Sequence, residues 1–251
     1  MDLGLRDRVY IVTGGTRGLG RACADVLVSE GARVVVSGRN AASVDVACTE
    51  LGEQARGIAA DNADTATPAR LLEVARSTWG RVDGALVSVG GPPKGPVTQM
   101  SDEQWTTAFS SVFLGAVRLM REIGQSLDDG GSLVAVLSSS VRSPLAEMAI
   151  SNGLRPGLGM VAKTLADELG PRGVRVNGVL PGRVATERVA ELDASSGDPD
   201  AARAAAEATI PLRRYGTPEE FGRAAAFLLA PASSYVTGVM LPVDGGLLRA
   251  L

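Results

Sequence analysis

The feature that most constrains this chain is a short apolar run that empties straight into glycine. Val9-Tyr10-Ile11-Val12 is followed at once by Thr13-Gly14-Gly15-Thr16-Arg17-Gly18-Leu19-Gly20, and a helical pattern opens over residues 18–30. A strand that turns this tightly into a helix needs residues without a Cβ at the turn. The same turn exposes the free N–H groups and partial positive charge of a helix N-terminus, where a phosphate is well placed. A lone glycine triplet says little. Here a strand precedes it, a helix follows it, and a second strand comes on schedule at Arg33-Val34-Val35-Val36. That context points to a pyrophosphate-binding turn.

The rhythm continues along the chain. Further apolar runs stand at Gly57-Ile58-Ala59-Ala60, Ala85-Leu86-Val87, Leu133-Val134-Ala135-Val136-Leu137, Val174-Arg175-Val176-Asn177 and Val239-Met240-Leu241. Runs that are continuous rather than alternating predict strands buried on both faces. Helical patterns fall between them, over 41–54, 65–79, 102–125, 150–169 and 218–229. The expectation is an α/β chain: one doubly wound domain over 1–251, with a seven-stranded parallel sheet and helices on both faces. One segment breaks the alternation, Gly182 to Leu212, with an acidic and alanine-rich stretch at Asp198-Pro199-Asp200-Ala201. An insertion after a strand's carboxyl end lies over the ligand crevice, so a substrate lid is expected at about 183–212.

Composition excludes several chemistries. The chain has no histidine, so Ser-His-Asp triads, His-paired thiols and His-ligated metals are excluded. Cys23 and Cys48 form no CxxC pair and read as small apolar residues buried on helices, in keeping with a reducing compartment. We expect no metal site. A net charge of −3 without a basic cluster argues against a nucleic-acid partner. No apolar run approaches the roughly 20 residues of a membrane span. The start, MDLGLRDR, lacks the basic and apolar regions of a secretory leader. A cytoplasmic chain is expected.

The end of the second strand selects the nucleotide. An acidic residue there would accept the 2′-hydroxyl of NAD. This chain has Ser37-Gly38-Arg39 instead. Arg39 is a forked cation suited to a 2′-phosphate, and Arg17 can reach the same group. NADP(H) is therefore expected over NAD(H). Asp61, after the third strand, is placed for the adenine amino group, with Asn62 beside it.

Together these residues resemble the short-chain dehydrogenase/reductase family, along the whole chain. The family's TGxxxGxG stands at Thr13 to Gly20. Its fourth-strand motif reads Val87-Ser88-Val89-Gly90 here. Arg175-Val176-Asn177 and Pro181-Gly182 match the sixth strand and its nicotinamide-facing turn, and Thr186 the residue that bonds the carboxamide. Arg214-Tyr215-Gly216-Thr217-Pro218-Glu219-Glu220 and Val243-Asp244-Gly245-Gly246 match the C-terminal signatures. The resemblance implies a Rossmann-type sheet, often a homotetramer or dimer, and a small carbonyl-type substrate. It implies cofactor contacts at Gly14, Thr16, Arg17, Gly18, Leu19, Gly20, Arg39, Asp61, Asn62, Ser88, Gly90, Arg155, Pro181, Gly182, Val184 and Thr186.

The chain departs from the family at the chemistry. The family uses a serine after strand five, a tyrosine thirteen residues on, and a lysine four beyond that. Here Ser138 closes strand five, but Ser151 and Arg155 stand at the other two positions. The family's helix-four asparagine aligns with Val112. Tyr10, Tyr215 and Tyr235 are not placed to replace the phenol, short of a lid movement by Tyr215. Lys163 reads as a structural or subunit contact. The chain resembles a divergent bacterial branch that combines a Gly-Gly-Pro-Pro loop, here Gly90-Gly91-Pro92-Pro93, with Ser-Asn-x-x-Arg, here Ser151-Asn152-Gly153-Leu154-Arg155.

Ser138, Ser151 and Arg155 are the candidate catalytic residues. Ser138 can donate to a substrate oxygen, Arg155 can hold the ribose and favour an oxyanion, and Ser151 can position a water. Arg142, Glu147, Lys94, Glu187 and Arg188 are further polar candidates, Glu147 as a desolvated acid. Three readings stay open. The first is an NADP(H)-dependent ketone or imine reductase with an atypical site. The second is a non-redox dehydratase, cyclase or isomerase. The third is a catalytically silent nucleotide-binding protein.

Overall fold

The computed structural model describes residues 2–195 and 197–250; Met1, Leu251 and Ser196 of the expected lid lie outside the described residues. Strands and helices alternate: β1 (Val9–Val12), α1 (Gly18–Ser29), β2 (Arg33–Gly38), α2 (Ala41–Leu51), β3 (Ala55–Ala59), α3 (Thr67–Trp79) and β4 (Gly84–Val87) form the first half. The second half runs α4 (Asp102–Ala108), α5 (Gly115–Ser126), β5 (Ser132–Val136), α6 (Ala149–Leu169), β6 (Arg175–Pro181), α7 (Glu187–Ala194), α8 (Pro199–Thr209), α9 (Pro218–Leu229) and β7 (Met240–Val243). All seven strands are parallel, in the order β3-β2-β1-β4-β5-β6-β7.

The period-2 alternation of each strand divides the core in two. Val9, Ile11, Val35, Ala85, Val87, Leu133 and Ala135 point to the face covered by α3, α5 and α6. Tyr10, Val12, Val34, Val36, Leu86, Val134 and Val136 point to the other, covered by α1 and α9. Each fully buried aliphatic side chain contributes about 1.5–3 kcal/mol, so both helix layers are held without disulfides. Arg175 locks α9 to the sheet: its guanidinium donates to the carbonyls of Leu228, Leu229 and Ala230 at the helix C-terminus. A cation suits that end of a helix dipole.

Three expectations are corrected. The third strand runs Ala55–Ala59 rather than 57–60, because it is an edge strand of mixed burial and carries a weak apolar signal. The stretch 102–125 is not one regular helix: a π-helical segment, Phe109–Leu114, separates α4 from α5. Cys48 is half-buried rather than buried, while Cys23 is buried and its thiol is pushed up to about 12 by desolvation. The segment 183–212 contains two helices, α7 and α8. No described helix is long and apolar enough to cross a membrane.

Candidate functional site

The strand order reverses between β1 and β4, and a crevice opens at their carboxyl ends, as expected of an open parallel sheet. Its volume is about 2010 Å³. That exceeds the roughly 300–1,000 Å³ of a pocket for one small ligand, so a dinucleotide and a second molecule fit side by side. Its floor is joined by Thr13, whose Oγ1 donates to Ser88 O at 2.8 Å and accepts from Ser88 N at 2.9 Å. This ties the end of β1 to the end of β4.

The structure brings together in this one crevice all the residues expected at the nucleotide: Gly14, Thr16, Arg17, Gly18, Leu19, Gly20, Arg39, Asp61, Asn62, Ser88, Gly90, Arg155, Pro181, Gly182, Val184 and Thr186. Ser138 and Ser151 line it too. At Gly20 a Cβ would lie 2.3 Å from Gly14 O, so the turn closes only with glycine there. At Gly90 a Cβ would meet no atom within 4 Å and would project into the crevice. Arg17, the N-cap of α1, has extended backbone and no capping side-chain bond, which leaves the first helical N–H groups to a ligand.

At the outer end, Asn40 is spent on capping α2, accepting from Ser43 N at 2.9 Å. Arg39 is exposed and has no ion-pair or hydrogen-bond partner among the described residues. Ser37 Oγ is buried without a hydrogen-bond partner, an expensive state unless a ligand satisfies it. Asp61 Oδ1 accepts from Ala63 N, and Asn62 Nδ2 donates to Ser88 O at 3.5 Å. The glycine cradle, the open helix end and the orphaned hydroxyl fit a dinucleotide. Among the described residues no cluster suits a metal ion.

At the inner end, three serines meet. Ser138 Oγ accepts from Ser140 N at 3.1 Å, which leaves its own proton to donate. Ser151, in the first turn of α6, lies with its Oγ 3.2 Å from Ser140 Oγ. Ser140 was not picked out in the sequence, where it is one of three consecutive serines. Arg155, one turn along α6, is buried. Its Nη1 donates to Val136 O at 2.7 Å and its Nη2 to Val89 O and Gly90 O at 3.4 and 3.3 Å. The arginine expected at the ribose thus has both Nη atoms on backbone carbonyls. The strand-end carbonyls of β4 and β5 take the guanidinium, and its visible work is to hold those two ends together. Burial pushes its pKa down to about 10.

The loop from Ser138 to Ser151 is fastened by Asn152. Its Oδ1 accepts from Leu145 N at 3.0 Å and its Nδ2 donates to Leu145 O at 2.8 Å. Backbone bonds from Gly95 N to Glu147 O and from Ala149 N to Gly95 O join this loop to the one after β4. Glu147 takes a left-handed φ of 57° in that junction, and its side chain is exposed and outside the crevice lining. Its expected role as a desolvated acid is therefore corrected. Arg142 and Lys94 also lie outside the lining: Arg142 Nη2 reaches Met240 O, and Lys94 Nζ reaches Ser195 Oγ. Lys163 bonds Gly238 O.

The segment after β6 is anchored from several sides. Thr186 caps α7. Arg183 pairs with the buried Asp193 at 3.0 Å, and Tyr215 donates its hydroxyl to the same carboxylate at 3.0 Å. Arg188 Nη2 donates to Pro92 O at 3.2 Å. Arg17, expected at a phosphate, faces Glu187 at 3.3 Å; both are about two-thirds exposed, so the pair is weak. No tyrosine lines the crevice. Tyr10 bonds Leu229 O, Tyr215 lies under α7, and Tyr235 is fully exposed. Val112 is buried on the π segment and lines the crevice with Ser110 and Ser111.

Known proteins share this architecture. The sequence model of a family described as enoyl-(acyl carrier protein) reductase matches residues 14–248. An uncharacterized oxidoreductase of Mycobacterium tuberculosis is 36% identical over 251 residues, covering 96% of this chain and 92% of its own length. The 3beta-hydroxysteroid dehydrogenase 1 of Eggerthella lenta is 35% identical over 253 residues, covering 97% and 94%. The crystal structure of L-sorbose reductase from Gluconobacter frateurii, complexed with NADPH and L-sorbose, superposes with a TM-score of 0.94 over 100% of both chains at 27% identity.

Proposed function

The chain is a member of the short-chain dehydrogenase/reductase family, and on that premise we propose that it is an NADP(H)-dependent reductase of a ketone or imine that works without a catalytic phenol. The observation that carries this reading is the free cation Arg39 at one end of the same crevice that holds the Ser138 hydroxyl at the other. A solved relative of the same fold holds NADPH. The glycine turn and the N-terminus of α1 would hold the pyrophosphate, Arg39 the 2′-phosphate, and Pro181, Gly182 and Thr186 the nicotinamide end. When bound, NADPH supplies a hydride.

The protein's own work is orientation and charge. Ser138 donates its proton in a hydrogen bond to the substrate oxygen. Ser151 and Ser140 form the hydroxyl pair beneath it. Arg155 stays charged at neutral pH and makes the field there positive, which favours an oxyanion. Ser151 stands where the family has its tyrosine, and no tyrosine among the described residues lines the crevice; loss of a general acid is worth about 10²–10⁴ in rate. Substrates whose product anion is stable on its own tolerate that loss. The segment 183–212 acts as the lid, with Arg188 bridging to Pro92.

A fluorescence titration with NADPH and NADH tests the reading. NADPH should bind at least about tenfold more tightly, and Arg39→Ala should erase the preference. Equal affinities, or an unchanged preference in the variant, overturn the NADP(H) assignment. Binding of neither nucleotide overturns the oxidoreductase reading. The engagement of Arg155 with backbone carbonyls favours one second reading, non-redox chemistry on the same fold. Product formed without loss of NADPH absorbance would establish it.

A further inference from the structure

The inner half of the crevice is walled by apolar surface. The loop after β4 contributes Pro92 and Pro93, the loop after β5 Leu145 and Met148, and α7 Val189 and Leu192. Two adjacent prolines present ring carbons and no N–H donor. The Pro92 carbonyl is already taken by Arg188 Nη2. Several polar side chains near these walls are engaged with one another or with backbone. Arg188 Nη1 reaches Glu191 at 3.4 Å, and Arg183 is held by Asp193. Asn152 spends both amide atoms on Leu145. At the floor, Ser138 Oγ accepts from Ser140 N and keeps its own proton to donate, while Ser151 Oγ is paired with Ser140 Oγ.

We propose that this half of the crevice takes a rigid ring ketone with a hydrocarbon body and a single oxygen set on Ser138, and that it turns polyhydroxylated carbonyls away. The proposal rests on the carbonyl-reductase reading above and deepens it to a substrate class. A hydrocarbon body exchanges water for the proline rings and the leucine, valine and methionine side chains, which is favourable over its whole area. A sugar needs a partner for each hydroxyl. These six wall side chains supply none, and each unpaired hydroxyl costs up to about 10² in affinity. The fold shared with L-sorbose reductase therefore does not carry that enzyme's substrate with it. A rigid ring also loses little conformational freedom on entering a slot bounded by two fastened loops and a helix.

Calorimetric titration of the NADP⁺-saturated protein with trans-1-decalone and with L-sorbose tests this. The decalone should bind at least about 30-fold more tightly. Leu192→Asp and Pro93→Asn, on separate elements, should each weaken the decalone about tenfold or more while NADP⁺ affinity holds. Sorbose binding equal to or tighter than decalone overturns the proposal, as does binding of neither, or decalone affinity unchanged in both variants. The same titrations on nucleotide-free protein separate the two readings. If NADP⁺ fails to bind but the decalone preference persists, the nucleotide assignment falls and the apolar substrate class stands.

Discussion

Arg155 is a buried cation with no ion-pair partner among the described residues, held by three backbone carbonyls. Desolvation pushes its folded-state pKa down to about 10, below that of an exposed guanidinium. The native chain thus binds this proton less tightly than the unfolded chain. The charge opposes folding below about pH 10, and that cost fades as pH rises above about 10. The unfolding free energy of the parent protein, minus that of Arg155→Met, should therefore become more positive across this window in urea titrations. A flat difference is the contrary outcome. Ser138 carries the other residue-scale expectation. Ser138→Ala should lower kcat by about 10²–10³ with NADPH affinity unchanged, since one donor to the developing oxyanion is lost; comparable turnover removes Ser138 from the mechanism. Both residues were candidates in the sequence because the family resemblance places its catalytic positions there. What Arg155 touches was not legible, because the carbonyls of Val89, Gly90 and Val136 come from two other elements.

Helices with a strong apolar period were legible nearly to the residue: α6 spans Ala149–Leu169 against an expected 150–169, and α9 matches Pro218–Leu229. The π segment was not, because it differs from α-helix by a shift in backbone pairing that leaves the side-chain pattern almost unchanged. The clamp at the start of α6 was also hidden. In the sequence Asn152 is only part of the Ser-Asn-x-x-Arg motif, and its hold on the Leu145 backbone appears only in the fold. Asn152 is a positioning residue for the loop that borders the substrate. Asn152→Leu should raise the KM of a carbonyl substrate about tenfold, with NADPH affinity held and kcat reduced less than KM rises. Steady-state kinetics with a parallel NADPH titration check this. A loss in kcat alone points instead to the serine cluster.

The whole molecule is one sheet whose two faces are closed by separate helix layers, with the crevice at the seam where strand order reverses. A ligand spanning that seam binds only the folded chain, so it stabilises the entire fold. NADPH at about 100 times its Kd should add about 2.7 kcal/mol, or about 5–10 °C in Tm for a chain of this size. NADH at the same concentration should add about half as much or less, if its affinity is tenfold weaker. Equal shifts in differential scanning calorimetry contradict the assigned nucleotide preference.

The alternation of strands and helices, the parallel sheet and the glycine turn after β1 followed from sequence alone, because periodicity and glycine placement are local properties of the chain. The residues expected at the nucleotide line one crevice because most of them follow the ends of β1, β2, β3, β4 and β6. The inner half was decided only by tertiary structure. Glu147 was turned to solvent by the backbone junction with Gly95, Arg155 was drawn onto strand-end carbonyls, and the prolines, Leu145 and Leu192 were gathered into one wall from three separate segments. Side chains far apart in sequence acquire a common environment only when loops dock, and the free energy of that docking is a property of the assembled fold rather than of any one segment.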